Sequence, residues 1–122
     1  MPGLKTAILG FVLACGAHPP GYDYGTASWY GGRWHGRRMA NGERFDKRKL
    51  TAASDAYPLG TVLEVTDLDN GRRVLVTVTD RGPAKRLGRL LDLSESAATA
   101  LASRKQGLAD VAVTPRKYRR LQ

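Results

Sequence analysis

Two acidic residues stand where a carboxyl group could move protons. Asp80 closes the run Arg73-Val74-Leu75-Val76-Thr77-Val78-Thr79-Asp80, and Arg81-Gly82-Pro83 forces a turn directly after it. A carboxyl group at the end of an apolar strand lies at the mouth of a fold rather than in bulk water. General acid catalysis asks for such a setting, because burial or a neighbouring charge brings a carboxyl pKa toward neutrality. The same position also suits an Asp that accepts backbone N–H bonds at a turn. Glu43 lies in Ala40-Asn41-Gly42-Glu43, a glycine-dotted loop in which a solvated glutamate is the ordinary alternative. Asp46 and Asp92 read as structural, the second as a packing or capping residue in Leu91-Asp92-Leu93-Ser94. Arg81 is placed to hold an anionic group of a substrate, or else to oppose protonation of its neighbour Asp80. Tyr30 and Trp34 offer flat apolar faces, whereas Trp29, inside a strand, reads as core. His35 either orients a carboxyl group or lies on the surface. The single cysteine, Cys15, and two separated histidines, His18 and His35, leave no disulfide and no metal-ligand spacing, so neither a metal nor a cofactor is expected.

The elements that must hold these residues are short strands. Thr26–Tyr30 is a β-like run that ends at Gly31-Gly32, and residues 33–45 form a polar structured loop. Leu50–Ala53 is a short strand, and Tyr57-Pro58-Leu59-Gly60 is a turn with Pro58 second and Gly60 fourth. In Thr61–Asp67, Val62 and Glu64 share one face and Leu63 and Val65 the other. In the next run Val74, Val76 and Val78 share a face. Asn70-Gly71 between them predicts a two-residue type I′ hairpin turn. Arg89–Leu93 is a further strand. One helix is predicted from the cap Ser94, with Arg104 and Lys105 in its last turn and Gly107 as its stop. Ala109–Thr114 is the last strand before Pro115. Six short strands with one or two helices argue for a mainly β fold, a small barrel closed to hide its edges.

The chain has 122 residues and a formal net charge of +9, which fits one domain and a polyanionic partner. Its basic clusters, Lys47-Arg48-Lys49, Arg81 with Lys85, Arg86 and Arg89, and Arg116, Lys117, Arg119 and Arg120, follow no single periodic face. Ahead of them, Lys5 precedes a short apolar run, Ala7 to Ala14, that ends at Cys15. That run is too short to span a bilayer but suits a secretory signal. Cys15 at its end is similar to a bacterial lipoprotein signal, in which the cysteine is lipidated and becomes the new N-terminus. Plain cleavage after Ala17, or a buried N-terminal helix, are the alternatives. The expected organisation is a signal and linker over residues 1–20, a barrel over 21–115 and a basic tail over 116–122. Export to the envelope makes nucleic acid an unsuitable partner.

Four segments in order then become specific together. They are Gly25-Thr26-Ala27-Ser28-Trp29-Tyr30-Gly31; His35-Gly36-Arg37 with Ala40-Asn41-Gly42-Glu43-Arg44-Phe45-Asp46; Leu50-Thr51-Ala52-Ala53 with Pro58-Leu59-Gly60-Thr61; and Val78-Thr79-Asp80-Arg81-Gly82-Pro83 followed by Leu91-Asp92-Leu93-Ser94. Over roughly residues 24–114 they resemble the rare lipoprotein A (RlpA) family of double-psi β-barrels, which includes lytic transglycosylases of peptidoglycan. The barrel is similar to that of expansins, so fold alone does not decide activity.

The resemblance implies endolytic cleavage of glycan strands to leave 1,6-anhydro-N-acetylmuramic acid ends, with a non-catalytic, expansin-like glycan-binding barrel as the alternative. Asp80 would act first as acid and then as base, and Glu43 would be its catalytic companion. Trp34, Tyr30, Arg81 and Ser54 are the substrate-binding candidates. Ser54 stands where the family motif carries a histidine of the active-site cluster. Many family members also continue into a peptidoglycan-binding SPOR domain, and this sequence ends before one. The implied partners are peptidoglycan strands and, through a lipid on Cys15, a membrane. The expected setting is a monomer facing the periplasm, anchored at the outer membrane or else secreted.

Overall fold

The computed structural model describes residues 21–30, 34–82, 88–103 and 107–118. The signal run with Cys15, the cluster members Lys85 and Arg86, the pair Arg104-Lys105 and the tail beyond Tyr118 lie outside the described residues.

Alternating apolar runs build six strands: β1 (Asp23–Trp29), β2 (Thr51–Ala53), β3 (Thr61–Asp67), β4 (Arg73–Asp80), β5 (Arg89–Leu93) and β6 (Leu108–Tyr118). A single short helix, α1 (Glu95–Ala100), joins β5 to β6 among the described residues. The strands close into a barrel in the order β1-β5-β2-β4-β3-β6. Two pairs, β1 with β5 and β2 with β4, run parallel, and the other neighbours run antiparallel. This is the double-psi β-barrel expected from the sequence. Alternation sends Leu63 and Val65 of β3, Val74, Val76 and Val78 of β4, and Val111 and Val113 of β6 into one core with Leu91 and Leu93. Each fully buried aliphatic side chain contributes about 1.5–3 kcal/mol. Val62 and Glu64, on the opposite face of β3, are only half-buried.

Four local features depart from the sequence reading. The β3–β4 connection is a longer loop rather than a two-residue turn. The Asp67 carboxylate accepts the N–H groups of Asp69 and Asn70 at 2.8 and 3.3 Å, and the Gly71 N–H donates to the Asp67 carbonyl. Gly71 alone takes a positive φ, +76°, so a type I′ pair is not formed. The Asn70 side chain instead donates to the Leu101 carbonyl at 2.8 Å, tying the loop to the end of α1.

The helix stops at Ala100, well before Gly107. Ser94 caps its start as expected, accepting the Ala97 N–H. At the other end Ala102 enters the left-handed region at φ 57°, and Ala102 and Ser103 donate to the Thr99 and Ala98 carbonyls. That Schellman pairing satisfies the last carbonyls early and ends the helix.

The strand β6 runs through Pro115 to Tyr118, so the barrel extends past residue 115. Pro115 is tolerated because the β3–β6 ladder has an irregular step between Val62 and Leu63, opposite it. The turn before β3 is shifted by one residue. Thr61 donates to the Pro58 carbonyl, which puts Gly60 third, where its φ of +91° is required.

Candidate active site

One cavity of about 200 Å³ opens where the parallel strands end, lined by Tyr30, Trp34, Ala53, Asp80, Arg81 and Asp92. Four of the sequence candidates, Asp80, Tyr30, Trp34 and Arg81, therefore meet at one place.

Asp80 reaches it through a bulge. Along the parallel pair Ala52 faces Val78, but Ala53 faces Asp80, so Thr79 is an extra residue in β4. Val78 points into the core, and strict alternation would send Asp80 to the same side. The extra residue reverses that phase and turns the carboxylate toward the cavity. Ala53 also pairs with Asp92 of β5, on its other side. In-register neighbours share a face of the sheet, so the two acids flank the small Ala53 side chain.

The Asp80 carboxylate is fixed on one oxygen. Oδ1 accepts the N–H groups of Ala40 and Arg81, each at 2.9 Å. Among the described residues Oδ2 accepts no hydrogen bond. The Ala40 donor comes from the loop before β2, which docks on the end of β4. Asn41 N–H donates to the Thr79 carbonyl at 3.2 Å, and the Thr79 hydroxyl meets the buried Met39 sulfur at 3.3 Å. The loop folds back on itself through Arg37 and Phe45, and buried Phe45 packs on Tyr30 with ring centres 4.5 Å apart.

Asp92, read from the sequence as a packing or capping residue, also lines this cavity. It accepts a hydrogen bond from the Ser28 hydroxyl and lies 3.6 Å from the Arg89 guanidinium, yet it lines the cavity opposite Asp80. A lone acid between two core leucines, Leu91 and Leu93, was the available signal, because alternation must turn it outward. Ala53 and Ala40 carry no side-chain chemistry, and no residue-type signal marks them. Burial, and then the two neighbouring carboxylates Asp80 and Asp92, push the Tyr30 hydroxyl well above the ordinary phenol range. Tyr30 therefore stays neutral in the site.

The remaining candidates lie apart. Glu43 is exposed at the loop tip and is not among the lining residues. Its side chain accepts from the Asn41 amide at 3.1 Å, and its N–H donates to the Asn41 side chain at 2.9 Å. Ser54 is fully buried, so it presents no surface to a substrate. Its hydroxyl donates to the Leu90 carbonyl and accepts the Ala56 N–H, both at 3.1 Å, which makes it a brace between β2 and β5. His35 Nδ1 accepts the Lys47 N–H and faces Asp46 at 4.0 Å rather than a cavity acid. Hydrogen bonds from Arg48 hold the Asp46 carboxyl below the usual range, in keeping with a structural role. Trp29 packs partly buried against the core, as expected.

Residues 23–113 match the family described as lytic transglycolase. Over 102 residues the chain is 48% identical to a protein of Aquifex aeolicus named probable endolytic peptidoglycan transglycosylase RlpA, covering 80% of this chain and 45% of that one. A protein of the same name from Synechocystis sp. is 51% identical over 89 residues, covering 73% of this chain and 27% of that one. The chain thus spans less than half the length of these relatives. Among solved structures, an expansin of Clavibacter michiganensis in complex with cellohexaose superposes with a TM-score of 0.61 at 22% identity, covering 83% of this chain and 53% of the expansin. At that identity the likeness is one of fold.

Proposed function

The chain belongs to the lytic transglycolase family, and from that premise we propose that it is an endolytic peptidoglycan lytic transglycosylase. The observation that carries the reading is the pairing of Asp80 and Asp92 on either side of Ala53, in a cavity walled by Tyr30 and Trp34. The names of its relatives support the same substrate.

In this mechanism protonated Asp80 gives its proton to the glycosidic oxygen as the C1–O bond breaks. The C6 hydroxyl of the same sugar attacks C1, and the Asp80 carboxylate then takes the hydroxyl proton. The products are a 1,6-anhydro end and a new free hydroxyl, and no water is consumed. Positive charge develops at C1 on the way. Asp92, paired with Arg89, sets a carboxylate across the cavity from Asp80, where it opposes that charge. Trp34 and Tyr30 stack sugar faces, Arg81 holds an acidic group, and Glu43 meets the strand from the loop tip outside the cavity. The Asp80 N–H donors from Ala40 and Arg81 hold the carboxyl in one orientation, which lowers the cost of reaching the reactive geometry. The protein acts in the cell envelope as a monomer, held at a membrane by a lipid on Cys15.

The test is incubation of the protein with peptide-stripped glycan strands, with anhydro-sugar products followed by mass. Their release supports the enzyme. Glycan binding without release selects the second reading, a barrel that binds wall glycan without cutting it. That reading draws on Ser54, a buried serine where the family motif carries an active-site histidine.

A further inference from the structure

Peptide-stripped peptidoglycan strands alternate N-acetylglucosamine with its 3-O-lactyl ether, so a free carboxylate recurs on every second sugar. An enzyme leaving 1,6-anhydro ends on the lactyl sugar must bring that sugar's C1, never its neighbour's, to Asp80. The two rings share their faces and their acetamido groups, so stacking on Tyr30 or Trp34 does not distinguish them. The carboxylate must be read instead. On the cavity floor Arg81 is outnumbered by the two acids Asp80 and Asp92, so a second cation is needed to read the carboxylate.

The rim offers a suitable cation. Trp34 lines the cavity and keeps 40% of its surface exposed. Arg37 stands in the same turn, its N–H donating to the Trp34 carbonyl at 3.0 Å. Its guanidinium lies 5.5 Å from the centre of the indole. The other described arginines of the loop are already engaged. Arg38 and Arg44 donate to the Gly42 and Gly36 carbonyls, and Arg48 pairs with Asp46. Among the described residues no carboxylate or carbonyl engages the Arg37 guanidinium. A planar guanidinium held over an aromatic ring is suited to a bidentate carboxylate contact next to a sugar at that ring.

We propose that Arg37 is a specificity-determining residue that reads the lactyl carboxylate of the sugar on Trp34 and so sets the register of the strand over Asp80. The inference rests on the peptidoglycan reading above, but not on cleavage. Its test is calorimetric binding of the full chain to two soluble oligosaccharides of equal length. One alternates N-acetylglucosamine with its lactyl ether, and the other is a neutral chito-oligosaccharide. The parent is expected to favour the carboxylated ligand about tenfold or more, the worth of one charge-assisted contact. Added salt should erode that preference. Arg37→Gln should abolish the preference and leave chito-oligosaccharide binding unchanged, while Arg37→Lys keeps part of it. Equal affinity of the parent for both ligands overturns the proposal, as does a preference that survives in Arg37→Gln. An equal loss on both ligands overturns it too, by reducing Arg37 to a brace for Trp34. Anhydro products are measured separately. A preference without products sinks the enzyme reading and leaves the carboxylate reading standing, and products without a preference do the reverse.

Discussion

Asp80 and Asp92 are register partners of the same residue, Ala53, one from each neighbouring strand. Two strand spacings separate their backbones, roughly 9–10 Å, with only a methyl group between. That leaves a sugar-sized gap bounded by two acids. The consequence for chemistry is direct. Asp80→Asn keeps the size and the two backbone contacts of the side chain but removes its titratable proton. Release of anhydro products should fall by at least about two decades while glycan binding and melting temperature hold. Asp92→Asn should slow release by about tenfold or more. Parent-like rates in a folded Asp80→Asn would reduce Asp80 to a turn cap.

Ser54 braces two strands. Ser54→Ala leaves the Leu90 carbonyl without its donor and should cost about 1 kcal/mol in denaturant unfolding. Glycan affinity should be unchanged. A loss of affinity at unchanged stability would return Ser54 to the binding surface.

Gly71 holds a φ of +76° in the β3–β4 loop. Gly71→Val puts a β-branched side chain into that conformation and should destabilise the barrel by about 1 kcal/mol or more. The melting temperature reads this directly, and an unchanged value would mean that the loop relaxes freely.

Alkaline pH should weaken the fold. Burial raises the Tyr30 hydroxyl, with Asp80 and Asp92 adding to the effect, and burial raises Tyr57, with its hydrogen bond to Asp23 adding. In the unfolded chain both phenols ionise near pH 10. Above that pH the unfolded state binds fewer protons than the folded one, so stability falls as pH rises further. It is fully present below pH 10. Tyr57→Phe should flatten the alkaline fall in melting temperature, and an identical fall in that variant would place its cause elsewhere.

The proposed lipid anchor is tested at Cys15. Cys15→Ser should move the protein from the membrane fraction to the soluble envelope fraction. Unchanged membrane attachment in that variant would exclude a lipid on this residue.

The local code of the chain was enough for the barrel. Alternation in Leu63–Val65 and Val74–Val78 assigns the core face, Ser94 marks the helix start, and four segments in order mark the family. The same code singled out Asp80, Tyr30, Trp34 and Arg81, which line one cavity, because residue type and position at a strand end are local properties. What it did not carry is phase and partnership. Whether Asp80 faces the core or the cavity depends on one extra residue, Thr79, measured against β2, a strand distant in sequence. Asp92 joins Asp80 only because β5 and β4 both flank β2. Ser54 sinks inward because the Leu90 carbonyl lies across from it, and Asn70 turns to Leu101 instead of making a tight turn. A strand's sequence fixes which residues alternate, but the pairing of strands decides which face each one shows, and that pairing exists only once the barrel has closed.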